Sequence, residues 1–265
     1  MYNFNYQRPA TLEEAVQALG KASDGVLLAG GHTLIPTMKQ RLAQPSDVID
    51  IGGVPGLDGI SREGDNLVIG ALARHAQVAA SPLVREAIAA LADLAGDIGD
   101  PQVRNRGTLG GSVANADPAA DYPAALVALN ATVNTNQRSI GADDFFTDLF
   151  ETALEDGEII TSVSFPIPDK AAYMKFPNPA SRYAMVGVFV AASSAGVRVA
   201  VTGAGASVFR VAEMEQALAG NFSADAIAGV SVSADNLNDD LHASSEYRAH
   251  LVGVMAQRAV AAASA

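Results

Sequence analysis

The sequence predicts an α+β chain of two domains: a mixed first part that begins with a small α/β unit, then a smaller part with an antiparallel hairpin and helices. Three observations carry this. Apolar runs of strand length alternate with helical periodicity over the first half of the chain, a hairpin pattern follows at 186–201, and an Ala-rich helical stretch closes it. The 265 residues suit one large or two ordinary domains. With 49% hydrophobic and only 17% charged residues, such a chain can bury a substantial core.

The elements follow in order. Leu12, Ala15, Val16 and Leu19 recur at helical spacing, Thr11 and Glu14 form a candidate capping box, and Gly20 is placed to end that helix. Residues 26–29 (VLLA) read as a short strand, 34–42 as a helix with Pro36 near its start, and 47–51 (DVIDI) as a further strand. This is a small α/β unit. Residues 66–72 read as a strand. Ser81-Pro82 is an N-cap and N1 pair for a helix running to about residue 95. Residues 96–120, rich in Gly, Asp, Pro and Asn, read as a long irregular loop, which inside a compact domain usually has a function. A short helix at 123–129 and strands at 131–136 and 158–168 come next. The hairpin turns at Ser194-Ala195-Gly196, and the chain is mostly helical from about Val211. Composition shifts around the prolines of KFPNPASRY, which places a domain boundary there and gives domains 1–175 and 176–265.

The net charge of −12 disfavours nucleic acid and anionic membrane surfaces as partners. The absence of cysteine removes disulfides, thiolate catalysis and iron–sulfur ligation from this chain. His32, His75, His242 and His250 show no metal-ligand spacing. His75, His242 and His250 read as structural or solvated, and no triad or paired carboxylates suggest acid–base catalysis. No stretch is apolar enough to span a bilayer and the first residues lack a signal-peptide core, so a cytoplasmic protein is expected.

Two glycine pairs stand out, Gly30-Gly31-His32-Thr33 and Gly110-Gly111-Ser112. A Gly-Gly turn between strand and helix can aim successive backbone N–H groups at one point and bind phosphate without side-chain charge. In an acidic chain, directed amides suit a diphosphate better than bulk potential does. Lys39, Arg41, Arg104 and Arg106 lie nearby in sequence and could add charge. Either turn alone is more often only a turn. Neither fits G-x-G-x-x-G, which counts against a Rossmann NAD site, and GAGA at 203–206 reads as a turn.

The combination AGGHT–LIP–MK–RL with DPQVRNRGTLGGSVANADPAAD resembles the medium, FAD-binding subunit of molybdenum hydroxylases, the xanthine dehydrogenase and aerobic carbon monoxide dehydrogenase family. FNYQRPATLEEAVQAL, YMKFPNPASRYAMVGV and EYRAHLVGVMAQRAV extend the resemblance over nearly the whole chain. It implies a p-cresol methylhydroxylase-type FAD-binding fold of two α/β lobes (about 1–55 and 56–175), followed by a C-terminal α+β domain. Ala29, Gly30, Gly31, His32 and Thr33, flanked by Leu34, and Thr108, Leu109, Gly110, Gly111 and Ser112 would then bind the FAD diphosphate. His32 would shape its loop through a hydrogen bond. Asn115 and Asp121 match positions that touch the nucleotide or ribityl part, although Asp121 could simply cap the helix after it. Ile98, Ile160, Lys175 and Tyr183 match positions near the isoalloxazine, although Ile160 could equally be core.

The resemblance further implies a large subunit with a molybdenum cofactor, a small subunit with two [2Fe–2S] clusters, and a dimer of heterotrimers. Electrons would reach an external acceptor (NAD, a quinone or oxygen) through FAD here. The lack of cysteine agrees, and it argues against the benzoyl-CoA reductase branch, whose medium subunit adds a cluster-binding loop. A flavin-free assembly scaffold and a stand-alone flavin oxidoreductase of the same fold are the alternatives.

Overall fold

The computed structural model describes all 265 residues. The first lobe is a three-stranded parallel sheet in the order Asn5–Gln7, Asp47–Asp50, Gly25–Leu28. The helix Leu12–Lys21 crosses over between strands, and its buried Ala15 packs with Ile49, Ile51 and Val54. Thr11 Oγ1 accepts from Glu14 N at 3.2 Å, while Glu14 Oε2 accepts from Ala10 N at 2.8 Å. The capping box therefore closes one residue outside its usual partner. Gly20 lies inside this helix, not beyond its end.

The second lobe carries a five-stranded antiparallel sheet in the order Ile60–Glu63, Asn66–Gly70, Ile160–Pro166, Thr132–Thr135, Ser139–Gly141. The single helix expected over 81–95 is instead two, Pro82–Ala87 and Ala89–Gly96, preceded by His75–Ala80. The break is Ile88, at φ −145° and ψ 77°. It re-aims the axis so that Val84, Ile88, Leu91 and Leu94 all enter one core, where burial outweighs helical continuity. Residues 96–120 also differ from the expected loop. They hold the short helices Pro101–Arg104 and Leu109–Asn115, capped by Asp100 and Thr108. Helix Leu34–Lys39 stops short of Leu42, where Arg41 takes a positive φ of 62°.

The last part is a four-stranded antiparallel sheet, Lys170–Pro177, Ala184–Ser193, Gly196–Thr202 and Phe209–Arg210, in sequence order. Lys170–Pro177 pairs along its length with Ala184–Ser193, so sheet membership changes between Pro166 and Lys170, ahead of the 175/176 division read from composition. Ala184–Ser193 is apolar on both faces for a reason. Val186, Val188 and Val190 pack on the helices Ala212–Gly220 and Ser245–Ser264, while Phe189 and Ala191 join the core of the second lobe. Residues 228–244, expected to be helical, contain no regular element between the 3₁₀ turn Ala224–Ile227 and the last helix.

Arg248, on the last helix, is buried and ties that helix to the sheet. It donates to Met185 O at 2.7 Å and Gly203 O at 3.0 Å, and pairs with Asp240 at 2.8 Å. Removing Arg248 takes its donors from Met185 O and Gly203 O and the counter-charge from Asp240, which keeps only the backbone N–H groups of His242 and Ala243. Arg248→Ala is expected to lower unfolding stability by about 3 kcal/mol in denaturant titration, and an unchanged midpoint would show that the helix is held by packing alone.

Candidate functional site

All three parts of the chain line a cleft of about 1020 Å³, at the upper end of the range for small-molecule sites. Fifteen of the seventeen residues singled out from the sequence lie on its wall, from Ala29–Leu34 through Ile98, Thr108, Gly110–Ser112, Asn115 and Asp121 to Ile160 and Tyr183. The other two, Leu109 and Lys175, stand behind it. Leu109 is fully buried in the core, and the Lys175 side chain is sealed against the domain junction.

The two glycine turns proved unequal. At the first, the strand Gly25–Leu28 ends and Gly31 turns the chain at φ +75°, a conformation that costs glycine least. The N–H groups of Gly30, Gly31, His32 and Thr33 donate to no group of the chain. Four successive backbone donors are thus left at the cleft wall. Their spacing is enforced from behind, because a Cβ on Gly30 would fall 2.2 Å from Arg106 O.

At the second turn most of the amides are already engaged. Leu109 N donates to Ala73 O at 2.9 Å, Gly110 N to Ala71 O at 2.8 Å, Gly111 N to Thr108 Oγ1 at 3.2 Å and Ser112 N to Thr108 O at 3.1 Å. Gly110 is glycine for packing, since a Cβ there would meet Ala71 Cβ at 2.6 Å and Ala71 O at 2.8 Å. Gly111 differs: its Cβ would meet only the Thr108 hydroxyl closely, at 2.8 Å. What this turn offers the cleft is space at Gly111 and the free hydroxyl of Ser112, not a second set of amides.

The basic residues near the turns in sequence do not reach the cleft. Arg104 donates to Ile98 O at 2.9 Å, Arg41 lies over the Tyr2 ring, and Arg106 lines, with Arg8 and Arg74, an adjoining hollow that shares Ala29, Gly30, Leu72 and Thr108 with the cleft. Arg182, which no sequence signal marked, is the one arginine on the wall. It sits at φ +62° in the turn before Tyr183. The His32 side chain lies on the cleft wall and makes no hydrogen bond within the chain, contrary to the loop-shaping role expected for it.

At the domain junction Asp121 is buried and is held by two partners. Its Oδ1 accepts from Tyr173 OH at 2.6 Å and from Lys175 Nζ at 3.0 Å, while Lys175 also donates to Asp97 O at 2.8 Å. It makes no side-chain capping bond to the helix that follows, which excludes the simpler reading. Burial raises its pKa; the Lys175 charge and the two hydrogen bonds oppose that rise. Tyr183, about half exposed, covers the same end of the cleft.

His75 is the histidine the sequence undervalued. It is buried at the cleft wall, 5.4 Å from the Tyr122 ring by centroids, and its Nδ1 and the Tyr122 hydroxyl find no partner in the chain. Gly107 leaves room for the imidazole, since a Cβ there would lie 2.5 Å from Nε2. Burial first, then the charges of His32 and Arg104, lower its pKa to about 4, so it is neutral at pH 7.

Comparison with known proteins agrees with this geometry. Residues 2–168 match the family described as FAD binding domain in molybdopterin dehydrogenase, and residues 171–263 the CO dehydrogenase flavoprotein C-terminal domain. The chain is 38% identical to the nicotine 6-hydroxylase medium subunit of Paenarthrobacter nicotinovorans, covering 98% of this chain and 97% of that one. A solved structure of carbon monoxide dehydrogenase from Hydrogenophaga pseudoflava superposes with a TM-score of 0.89 at 36% identity, covering 99% and 97%. Quinoline 2-oxidoreductase from Pseudomonas putida 86 superposes at 0.90 with 28% identity, covering 99% and 97%.

Two measurements separate the roles of these residues. Gly110→Ala is expected to cost about 2 kcal/mol in stability through overpacking against Ala71, whereas Gly111→Ala changes it by less than about 1 kcal/mol; equal effects would mean that the turns are not divided as described. For His75 the folded value lies below the ordinary one, so the unfolded chain binds more protons. Its neutral, buried form is compatible with full stability above about pH 6.5, and about 3 kcal/mol is lost as pH falls toward 4. His75→Leu should flatten the fall in Tm over that window, and an unaltered pH profile in the variant would exclude His75 as its source.

Proposed function

Since the chain belongs to the family of FAD-binding medium subunits of molybdopterin dehydrogenases, we propose that it holds FAD in the cleft and passes electrons from the [2Fe–2S] clusters of a partner subunit to an external acceptor. The observation that carries this is the row of free amides at Gly30–Thr33 in a chain of net charge −12. The cleft wall carries no lysine and a single arginine, so its backbone donors are the groups placed to hold a diphosphate, with Arg8, Arg74 and Arg106 in the adjoining hollow that shares Gly30 and Thr108 with it.

The cleft fits the cofactor by its donor set and by the space at Gly111. Ala29, Gly30, Gly31, His32, Thr33 and Leu34 would hold the diphosphate, supported by Thr108, Gly110, Gly111 and the Ser112 hydroxyl, with Leu109 fixing that turn from the core. Asn115 and Asp121 would take the hydroxyls of the ribityl or nucleotide part. Ile98 and Ile160 offer apolar surface to a flavin ring, Lys175 fixes the Ile98 segment from behind, and Tyr183 covers the end. When bound, FAD supplies the exchange of electrons between one-electron and two-electron partners. The chain's contribution is to bind and orient it and to exclude water; no side chain is asked to act as acid or base.

The remaining redox groups belong to other chains in this reading. A large molybdenum-cofactor subunit and a small [2Fe–2S] subunit assemble with it as a dimer of heterotrimers, and the acceptor is NAD, a quinone or oxygen. Relatives named as medium chains of glyceraldehyde dehydrogenase and carbon monoxide dehydrogenase are consistent with such complexes. No helix is long and apolar enough to cross a membrane, and we place the complex in the cytoplasm.

Titration with FAD, followed by visible absorption and flavin fluorescence, tests the site in the purified chain and in the complex with its co-expressed partners. Gly111→Val is expected to weaken binding about a hundredfold without unfolding the chain. If neither the parent chain nor its complex takes up flavin, the reading fails and a flavin-free scaffold replaces it. In the complex, flavin that stays oxidised when the clusters are reduced would overturn the electron relay.

A further inference from the structure

Tyr173 opens the stretch YMKFPNPASRY that carries the family resemblance but is assigned no role by it, yet the junction between the domains is shaped around it. It lies two residues before Lys175 on the strand Lys170–Pro177, so both side chains leave the same face of the C-terminal sheet and point into the FAD-binding part. Both donate to the same oxygen, Asp121 Oδ1. The other oxygen, Oδ2, has no bond within the chain, and Asp121 keeps 5% of its surface exposed, at the cleft wall.

The path of the Tyr173 hydroxyl is kept clear by Gly187 on the neighbouring strand Ala184–Ser193. A Cβ there would lie 2.3 Å from the hydroxyl oxygen and 3.0 Å from Cζ. Gly187 is in ordinary strand conformation and no turn requires it, so the hydroxyl and the nearby Thr202 methyl, 2.9 Å from the same point, account for its identity.

Resting on the FAD reading above, we propose that Tyr173 is a positioning residue: with Lys175 it clamps Asp121 by Oδ1, so that Oδ2 is presented to the cleft as the acceptor for a hydroxyl of the ribityl chain. A carboxylate held through one oxygen by a single donor can turn about that contact; two donors from alternate positions of a strand hold it in place. The tyrosine remains a donor throughout the accessible pH range, because burial and the adjacent Asp121 carboxylate hold its proton. The acceptor that reads the polyol is thereby set by the C-terminal domain, although it belongs to the first.

The test is Tyr173→Phe in the full chain, probed with FAD and separately with ADP, which lacks the ribityl chain. FAD affinity is expected to fall about tenfold, the loss of one charge-assisted hydrogen bond, while ADP affinity changes less than about twofold. A second readout is the pH dependence of FAD binding. Asp121 faces Lys175 and Tyr173 from the strand, Asp97 from the end of helix Ala89–Gly96, its helical neighbour Tyr122, and Tyr183 from the turn that covers the cleft. Loss of the tyrosine donor raises its pKa, so the acidic limb of the profile should move to higher pH. Equal losses for FAD and ADP would make Tyr173 merely structural, and no loss for either would refute the clamp. A parent chain that binds ADP but not FAD would refute the polyol acceptor as well. A parent that binds neither, alone or in its complex, would instead remove the FAD reading beneath it.

Discussion

The structure depends on a close approach of backbone to backbone at Gly30. The carbonyl of Arg106 sits where a side chain would begin, so the first glycine turn and the segment leading into the second are in direct contact. Nothing larger than glycine allows that approach. From it follow the closeness of the two turns, the row of unpaired amides on the open side, and the seat of helix Leu109–Asn115 against the end of the central sheet through Gly110 and Ala71. The cleft is therefore a product of packing. Its donors are fixed in place before any ligand arrives, which limits the ordering cost of binding.

This arrangement resolves a difficulty posed by the charge. An acidic protein repels a dianion at long range, and lysines or arginines would be the simplest remedy. Here none of the cations near the turns in sequence stands on the cleft wall itself: Arg104 braces the Ile98–Gly99 carbonyls, and Arg106 faces an adjoining hollow that shares Gly30 with the cleft. Backbone dipoles provide local attraction without altering net charge, and they cannot be lost by titration. Selectivity then comes from geometry, because only a ligand with oxygens at the spacing of successive amides satisfies them together.

Much of this was legible in the sequence, and the parts that were not share a cause. The strands 47–51, 66–72 and 158–168, the hairpin and the N-caps Thr11 and Ser81 were visible because each is a local preference expressed within a few residues. The broken helix at Ile88 was not, since its sequence favours continuity and only the shape of the surrounding core rewards a break. The glycine pairs were legible as turns but not as unequal partners. Whether an amide is free depends on Ala71 and Ala73, far away in the chain. For the same reason His75 escaped notice: nothing around it in the sequence says that Gly107 will make room for its ring. Leu109 and Lys175, read as site residues, support the site from behind instead.

The C-terminal sheet shows why a site of this kind needs a second domain. One face of Ala184–Ser193 packs on its own helices and the other on the core of the FAD-binding part, so the two domains share a continuous apolar junction. An apolar junction fixes distance well and orientation poorly, because hydrophobic contact has no direction. The polar contacts set into this one supply the direction. Thr202 Oγ1 donates at 2.9 Å to Pro118 O, which lies one residue beyond the cleft-lining Asp117, and Arg198 donates at 2.8 Å to Val127 O. Tyr173 and Lys175 do the same for Asp121. Each bond runs from the second domain to a segment that lines or supports the cleft. Displacement of the C-terminal sheet would thus be felt at the ligand before it disturbed the core, and the sheet that contributes so little wall surface governs how exactly the wall is held.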